Sequence, residues 1–171
     1  LMKSALLALI VAGLSAAPGM ASEPEPQLVM TGVGRFAIFV DLSTREADGR
    51  QVRIRSLQVA EPGFEVEGTQ YWGGWSWWPF DCVDRTADRL DFASVLAGGV
   101  EGPAVAASQP AFFASPGGAA AAVLAIACAT GPYAGPMLGS LEDAAAEGQR
   151  QVGSWAAGGT GDAGPGTGPA R

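Results

Sequence analysis

Apolar side chains recur mainly at every second position between Phe36 and Leu96, the period of a pleated strand. Phe36, Ile38 and Val40 alternate with Ala37, Phe39 and Asp41, which predicts a strand buried substantially on both faces. Asp48-Gly49 is a turn signal, and Val52, Ile54, Leu57 and Val59 supply the apolar positions of a second strand. The phase slips between Ile54 and Leu57, near Arg55-Ser56, so a bulge or a change of buried face is expected there. Residues 75–83 read as a third strand and residues 84–88 as a turn. Residues 89–96 return with Leu90, Phe92 and Leu96 on one face. Gly98-Gly99 breaks that strand, and residues 104–108 add a short edge strand.

The period then changes. Residues 119–129 are strong helix-forming sequence, with Ser115 as a cap, Pro116 at the first helical position and Gly131-Pro132 as a stop. Gly117 and Gly118 weaken the first turn. Leu124 and Cys128 are four apart and share one face. Ser140-Leu141-Glu142-Asp143 resembles a capping start for a short helix through about Val152. That segment is polar and alanine-rich, and is not expected to dock firmly.

Composition sets the compartment. Met2-Lys3-Ser4 gives a positively charged start, residues 5–14 are apolar, and Gly19-Met20-Ala21 offers a cleavage site after Ala21. Residues 1–21 therefore read as an export signal, too short in its apolar run for a membrane anchor of about 20 residues. No stable membrane insertion is expected after cleavage. The net charge is −7, and an acidic chain without a basic stripe is a poor nucleic-acid binder. Histidine is absent, which removes Ser-His-Asp and Cys-His catalysis and the usual zinc sites. No enzyme, metal or cofactor is expected. Cys82 and Cys128 are the two cysteines, spaced unlike a redox pair, and in an oxidising compartment they are expected to bond. A bridge closing such a loop contributes about 4 kcal/mol in the chain-entropy view. Residues 22–35 form a lead-in, 36–131 the folded domain and 132–157 a polar accessory segment. Residues 158–171 lack core-forming side chains and read as a disordered tail.

Several of these pieces occur in an order that carries a resemblance. Phe39-Val40-Asp41, Ser43 and Asp48-Gly49-Arg50-Gln51-Val52-Arg53-Ile54 form a strand-turn-strand opening. Phe80-Asp81-Cys82 follows, then Asp88-Arg89-Leu90, then Ser115-Pro116-Gly117 leading to Val123-Leu124-Ala125-Ile126-Ala127-Cys128. Together, over Phe36 to Ala129, they resemble the surface-adhesin protein E family of small exported bacterial proteins. The resemblance implies an α+β fold, an antiparallel sheet of about four to six strands packed against a C-terminal helix, with the disulfide between them. The best-known members are surface adhesins that bind host matrix proteins, and most look-alikes have no known role. The chain departs from the family in its long tail past Cys128 and in Gly73-Gly74, which interrupts the tryptophan-rich approach to Phe80.

That approach, Tyr71-Trp72-Gly73-Gly74-Trp75-Ser76-Trp77-Trp78, is the candidate ligand-binding feature. Tryptophan faces stack on sugar rings, and glycines allow close approach. On a strand, Trp75 and Trp77 share one face while Trp78, Phe80 and Cys82 share the other. Tyr71, Trp72, Trp75 and Trp77 are thus the candidate binding residues. Exposure of Trp75 and Trp77 favours carbohydrate binding, and their burial favours a plain scaffold. Asp81, Asp84, Asp88 and Asp91, interleaved with Arg85 and Arg89, read as a solvated hairpin in preference to a calcium loop. Gly32-Val33-Gly34 precedes a strand, where a phosphate cradle precedes a helix. Glu65 and Glu67 read as an exposed strand face in preference to a glycosidase pair. The expected function is that of a non-enzymatic, adhesin-like binding protein, periplasmic or extracellular at the cell surface, with a protein or glycan partner. The alternatives are a carbohydrate-binding module using Trp75 and Trp77, or a structural periplasmic domain. A homodimer through a sheet edge stays open.

Overall fold

In the computed structural model, which describes residues 24–159, the alternating segment forms one antiparallel sheet. Its strands are β1 (Leu28–Val33), β2 (Ala37–Asp48), β3 (Gln51–Val59), β4 (Glu65–Val66), β5 (Thr69–Asp81), β6 (Thr86–Ala87), β7 (Asp91–Leu96), β8 (Glu101–Ala106) and β9 (Phe112–Phe113). The helices α1 (Ala119–Ala127) and α2 (Leu141–Gly159) follow. The longer strands lie in the order β1-β2-β3-β5-β7-β8, with the short β4, β6 and β9 built around β5. One edge of β5 pairs with β3 from Gln51↔Asp81 to Val59↔Gly73. Its other edge is divided between β7 and β6. The class is α+β, as expected.

β3 runs in continuous register against β5, without a bulge. The phase slip is a change of buried face: Val52 and Ile54 join the core beneath α1, whereas Leu57 and Val59 join the core beneath α2. The irregularity falls in β2, between Asp41 and Glu46. There Asp41 Oδ1 accepts the Gln27 and Ser43 N–H groups at 2.9 and 3.0 Å and the Ser43 hydroxyl at 2.7 Å. Arg45, just beyond, donates Nε–H to the Ala127 carbonyl at 2.7 Å. The last turn of α1 has no basic residue of its own, so β2 supplies the cation that its carbonyl end favours.

Each face of the sheet carries a helix. On one face α1 sets Val123, Leu124 and Ala127 against Val40, Ile54 and Phe80. The helix begins after Gly118, with no side-chain cap, because Gly117 takes φ +82° and breaks the turn that a cap at Ser115 and a first position at Pro116 require. Cys128 ends α1 and bonds to Cys82, the residue after β5, across 46 residues of sequence. The chain then passes the outer edge of β1, where Leu28 and Leu138 exchange backbone hydrogen bonds of 2.9 Å in both directions. α2 lies on the opposite face. Its start is the expected one, with Ser140 Oγ accepting the Asp143 N–H at 3.0 Å.

The structure differs from the sequence expectation in three further places. α2 continues to Gly159 and is firmly docked, with Ala144, Ala145 and Val152 buried. It docks through small residues, and the sheet supplies the bulk with Phe39, Leu57, Val59 and Trp75. The segment assigned to the lead-in contains β1, whose Leu28 and Val29 are 1% exposed. On β7 the core positions are Ala93 and Val95, while Leu90 is 40% exposed and Phe92 faces the other way. The export signal and residues 160–171 of the expected tail lie outside the described residues. Among the described residues, no helix is long and apolar enough to cross a membrane.

Candidate functional site

α1 packs on β1, β2 and β3. Farther along the same face, between Phe36 and Phe92, the sheet opens into an apolar cup of about 310 Å³. Register sets Gln58, Gly74 and Ser94 side by side across β3, β5 and β7, and these form its floor. Phe36 ahead of β2, Phe64 and Tyr71 at the β4–β5 hairpin, and Phe92 on β7 are its walls. All four rings are half-buried. The hairpin turns through Glu67 and Gly68, at φ +50° and +80°, the pattern of a tight two-residue turn that matches strand twist. Glu67 thus sits in the turn and does not share a strand face with Glu65.

The two glycines explain why the walls can close. A Cβ on Gly74 would lie 2.2 Å from the Phe92 ring. At Gly73, where φ is +154°, a Cβ would meet the Gln58 carbonyl oxygen at 1.7 Å. Glycine inside a strand commonly marks such a close approach. The pair lets Phe92 lean over β5 while β5 keeps its hydrogen bonds to β3.

Of the candidate binding residues, Tyr71 lines the cup and the other three lie elsewhere. Trp75 is 6% exposed and belongs to the core beneath α2. Trp77, half-buried on that face, lies 4.0 Å under the Arg53 guanidinium and 6.0 Å from that of Arg55. Arg55 also covers Trp75 at 4.6 Å and pairs with Glu101. Trp72 packs half-buried against the α2-side core. On the α1 side, Trp78 stacks on Phe80 at 6.0 Å and donates its indole N–H to Ser56 Oγ at 2.8 Å.

The acidic hairpin is a structural anchor. Asp81 is 7% exposed and accepts the Val83 and Asp84 N–H groups at 2.9 Å, Gln51 Nε2 at 2.7 Å and Arg50 Nε at 2.5 Å. The Asp84 amide first, then Arg50 and the Val83 amide, hold its carboxyl below the usual aspartate range. Among the described residues, no three potential metal ligands gather at one point. Burial pushes the Arg89 guanidinium down from its ordinary value, with Asp91 opposing.

Phe36 and Phe92 escaped as site residues because alternation reads both as strand packing, and Phe64 lies between the segments whose alternation predicts strands. The signal that could have found them is the Gly73-Gly74 pair in an otherwise aromatic strand, which calls for a close neighbour on each side. In comparisons with known proteins, no family model and no curated protein match the chain. Among solved structures it is similar to "The structure of crystal form II of Haemophilus influenzae protein E", with a TM-score of 0.46 and 11% identity over 69% of this chain and 96% of that one. A likeness of that size leaves function to the site itself.

Proposed function

We propose that this chain is a non-catalytic binding protein, adhesin-like, working at the cell envelope or outside the cell, and that the aromatic cup is its binding surface. The cup carries the reading: four half-buried aromatic rings around a floor of backbone and two small polar side chains form a concave apolar site with a few convergent polar groups. Export is supported by the Cys82–Cys128 disulfide, which persists in oxidising compartments, together with the signal-like start of the sequence. The tryptophan alternative is less favoured. Trp75 is buried and Trp77 lies beneath Arg53, so a sugar platform there requires the arginines to leave.

The test is an array of glycans and extracellular-matrix proteins probed with the oxidised, mature chain and two variants. Phe92→Ala is expected to abolish any binding detected, and Trp77→Ala to leave it intact. Binding lost in Trp77→Ala and kept in Phe92→Ala would return the site to the tryptophan strand.

A further inference from the structure

The cup does not end at its walls. Past Phe36 and Gln58 it continues into a hollow of about 340 Å³ beside Arg35 and the start of α1. Past Phe92 it continues into another of about 490 Å³ beside Arg89 and the end of β8. The three hollows share Phe36 and Gln58 on one side and Phe92 on the other, and we treat them as one groove across the open half of the sheet. Its middle is apolar, and each end holds a guanidinium over a phenylalanine: Arg35 at 5.6 Å from the Phe36 ring and Arg89 at 5.1 Å from the Phe92 ring. Among the described residues, neither arginine has a carboxylate within ion-pair distance. No Asp or Glu lines any part of the groove, although the chain carries 17 acidic against 10 basic residues. The lining of this strip of an acidic molecule is thus free of acids, and the strip ends in two cations: Arg35, exposed, and Arg89, whose Nε–H is held by Ser76 Oγ and the Asp91 carbonyl with the Asp91 charge nearby.

We infer that the groove receives an extended peptide segment of a partner protein, with apolar side chains at its centre and carboxylate side chains on both flanks. This rests on the cup being a binding surface. From the line of β2 to β7 is three strand spacings, roughly 14 Å, the length of about four extended residues. The Gln58 amide and the Ser94 hydroxyl on the floor suit the polar groups of a peptide backbone. A single-chain lipid has one anionic end where the groove offers two cations. A neutral sugar makes no use of either arginine.

The experiment titrates the full oxidised chain with capped, fluorescently labelled hexapeptides and reads anisotropy. One probe has two aromatic residues at its centre and glutamates at both ends; the second has lysines at the ends; the third has serines at the centre. The first is expected to bind at least tenfold tighter than either other. Its affinity should fall several-fold between low and physiological salt, as exposed charge pairs do. Arg35→Gln, at an exposed position, should weaken the glutamate-ended probe about threefold to tenfold and leave the lysine-ended probe unchanged. Arg89→Gln should act alike, and the Arg35 variant decides the matter if loss of the Arg89–Ser76 hydrogen bond disturbs folding. Equal binding of glutamate-ended and lysine-ended probes would overturn the charge reading while sparing the cup. Failure of every aromatic-centred probe would overturn the peptide, and array binding that Phe92→Ala leaves intact would overturn the cup itself. Preference for phosphatidylglycerol vesicles over all peptides, lost in Arg35→Gln, would overturn the peptide in favour of a membrane.

Discussion

Two glycines on α2 should respond to the same substitution with opposite signs. At Gly148 an added Cβ would lie 2.7 Å from Val59 Cβ, 2.8 Å from Val59 Cγ1 and 3.1 Å from Phe39 Cε2. Carbon atoms prefer about 3.5–4.0 Å, so the helix must withdraw by roughly 0.7–1 Å against a strand side chain fixed at its root. Withdrawal of that size forfeits about a quarter to a half of each dispersion contact along the seam. Overpacking of this kind costs about 1–3 kcal/mol, and the upper half of that range applies because the obstacle is a Cβ. Alanine's helix preference over glycine returns about 1 kcal/mol. Gly148→Ala is therefore expected to lose about 1–2 kcal/mol. Gly153 has nothing within 4 Å of the corresponding position, so Gly153→Ala keeps the full gain of about 1 kcal/mol. For a domain of this size, 1 kcal/mol moves Tm by about 3–5 °C. Urea and thermal unfolding of the oxidised variants, followed by circular dichroism, should place the two Tm values on either side of the parent. If both rise together, α2 does not sit on β2 and β3 as described.

Other perturbations probe other parts of the frame. Replacing Cys82 and Cys128 by serine opens a loop of 46 residues and should cost about 4 kcal/mol; an unchanged urea midpoint, with and without reductant, would contradict this. Asp81 has a depressed carboxyl pKa, so its contribution is complete above the unfolded value near pH 4 and lost as pH falls through the lower folded value. Asp81→Asn should destabilise the protein at neutral pH and flatten the acid limb of its stability profile, and an acid limb identical to the parent's would refute the assignment. Ser56→Ala removes the acceptor of the Trp78 indole N–H and should cost about 1–2 kcal/mol in urea unfolding. No loss there would mean that water replaces the hydroxyl.

Alternation reported those elements whose two faces differ or whose turns carry their own signal. β2, β3 and the Asp48-Gly49 turn appear close to where the pattern puts them, and of the two outcomes that the slip after Ile54 allowed, a bulge or a change of buried face, β3 shows the second. The disulfide followed from two cysteines and a compartment. α2 was underrated because hydropathy weighs what a helix brings, and here Ala144, Ala145 and Gly148 bring closeness while β2 and β3 bring volume. β7 was misphased because Phe92 is large and apolar, yet its ring serves the cup and its neighbour Ala93 serves the core. The cup was illegible for a topological reason. Its walls come from Phe36, Phe64, Tyr71 and Phe92, which no local window holds together.

The reciprocal hydrogen bonds between Leu28 and Leu138 have a consequence for where this chain can be divided. A chain cut after Gly131 would keep every strand, α1 and both cysteines, and would match the unit that alternation and resemblance mark out. It would also lose two covers at once. Without Leu138, the Leu28 N–H and C=O lose their partners and lengthen the unpaired edge of β1, a template for another strand. Without α2, the Phe39–Leu57–Val59–Trp75 surface stands open beside that edge, a contiguous apolar area of the kind that drives self-association. The alanine-rich segment that composition marks as an appendage is therefore a cover for both the Leu28 end of β1 and the apolar face beside it.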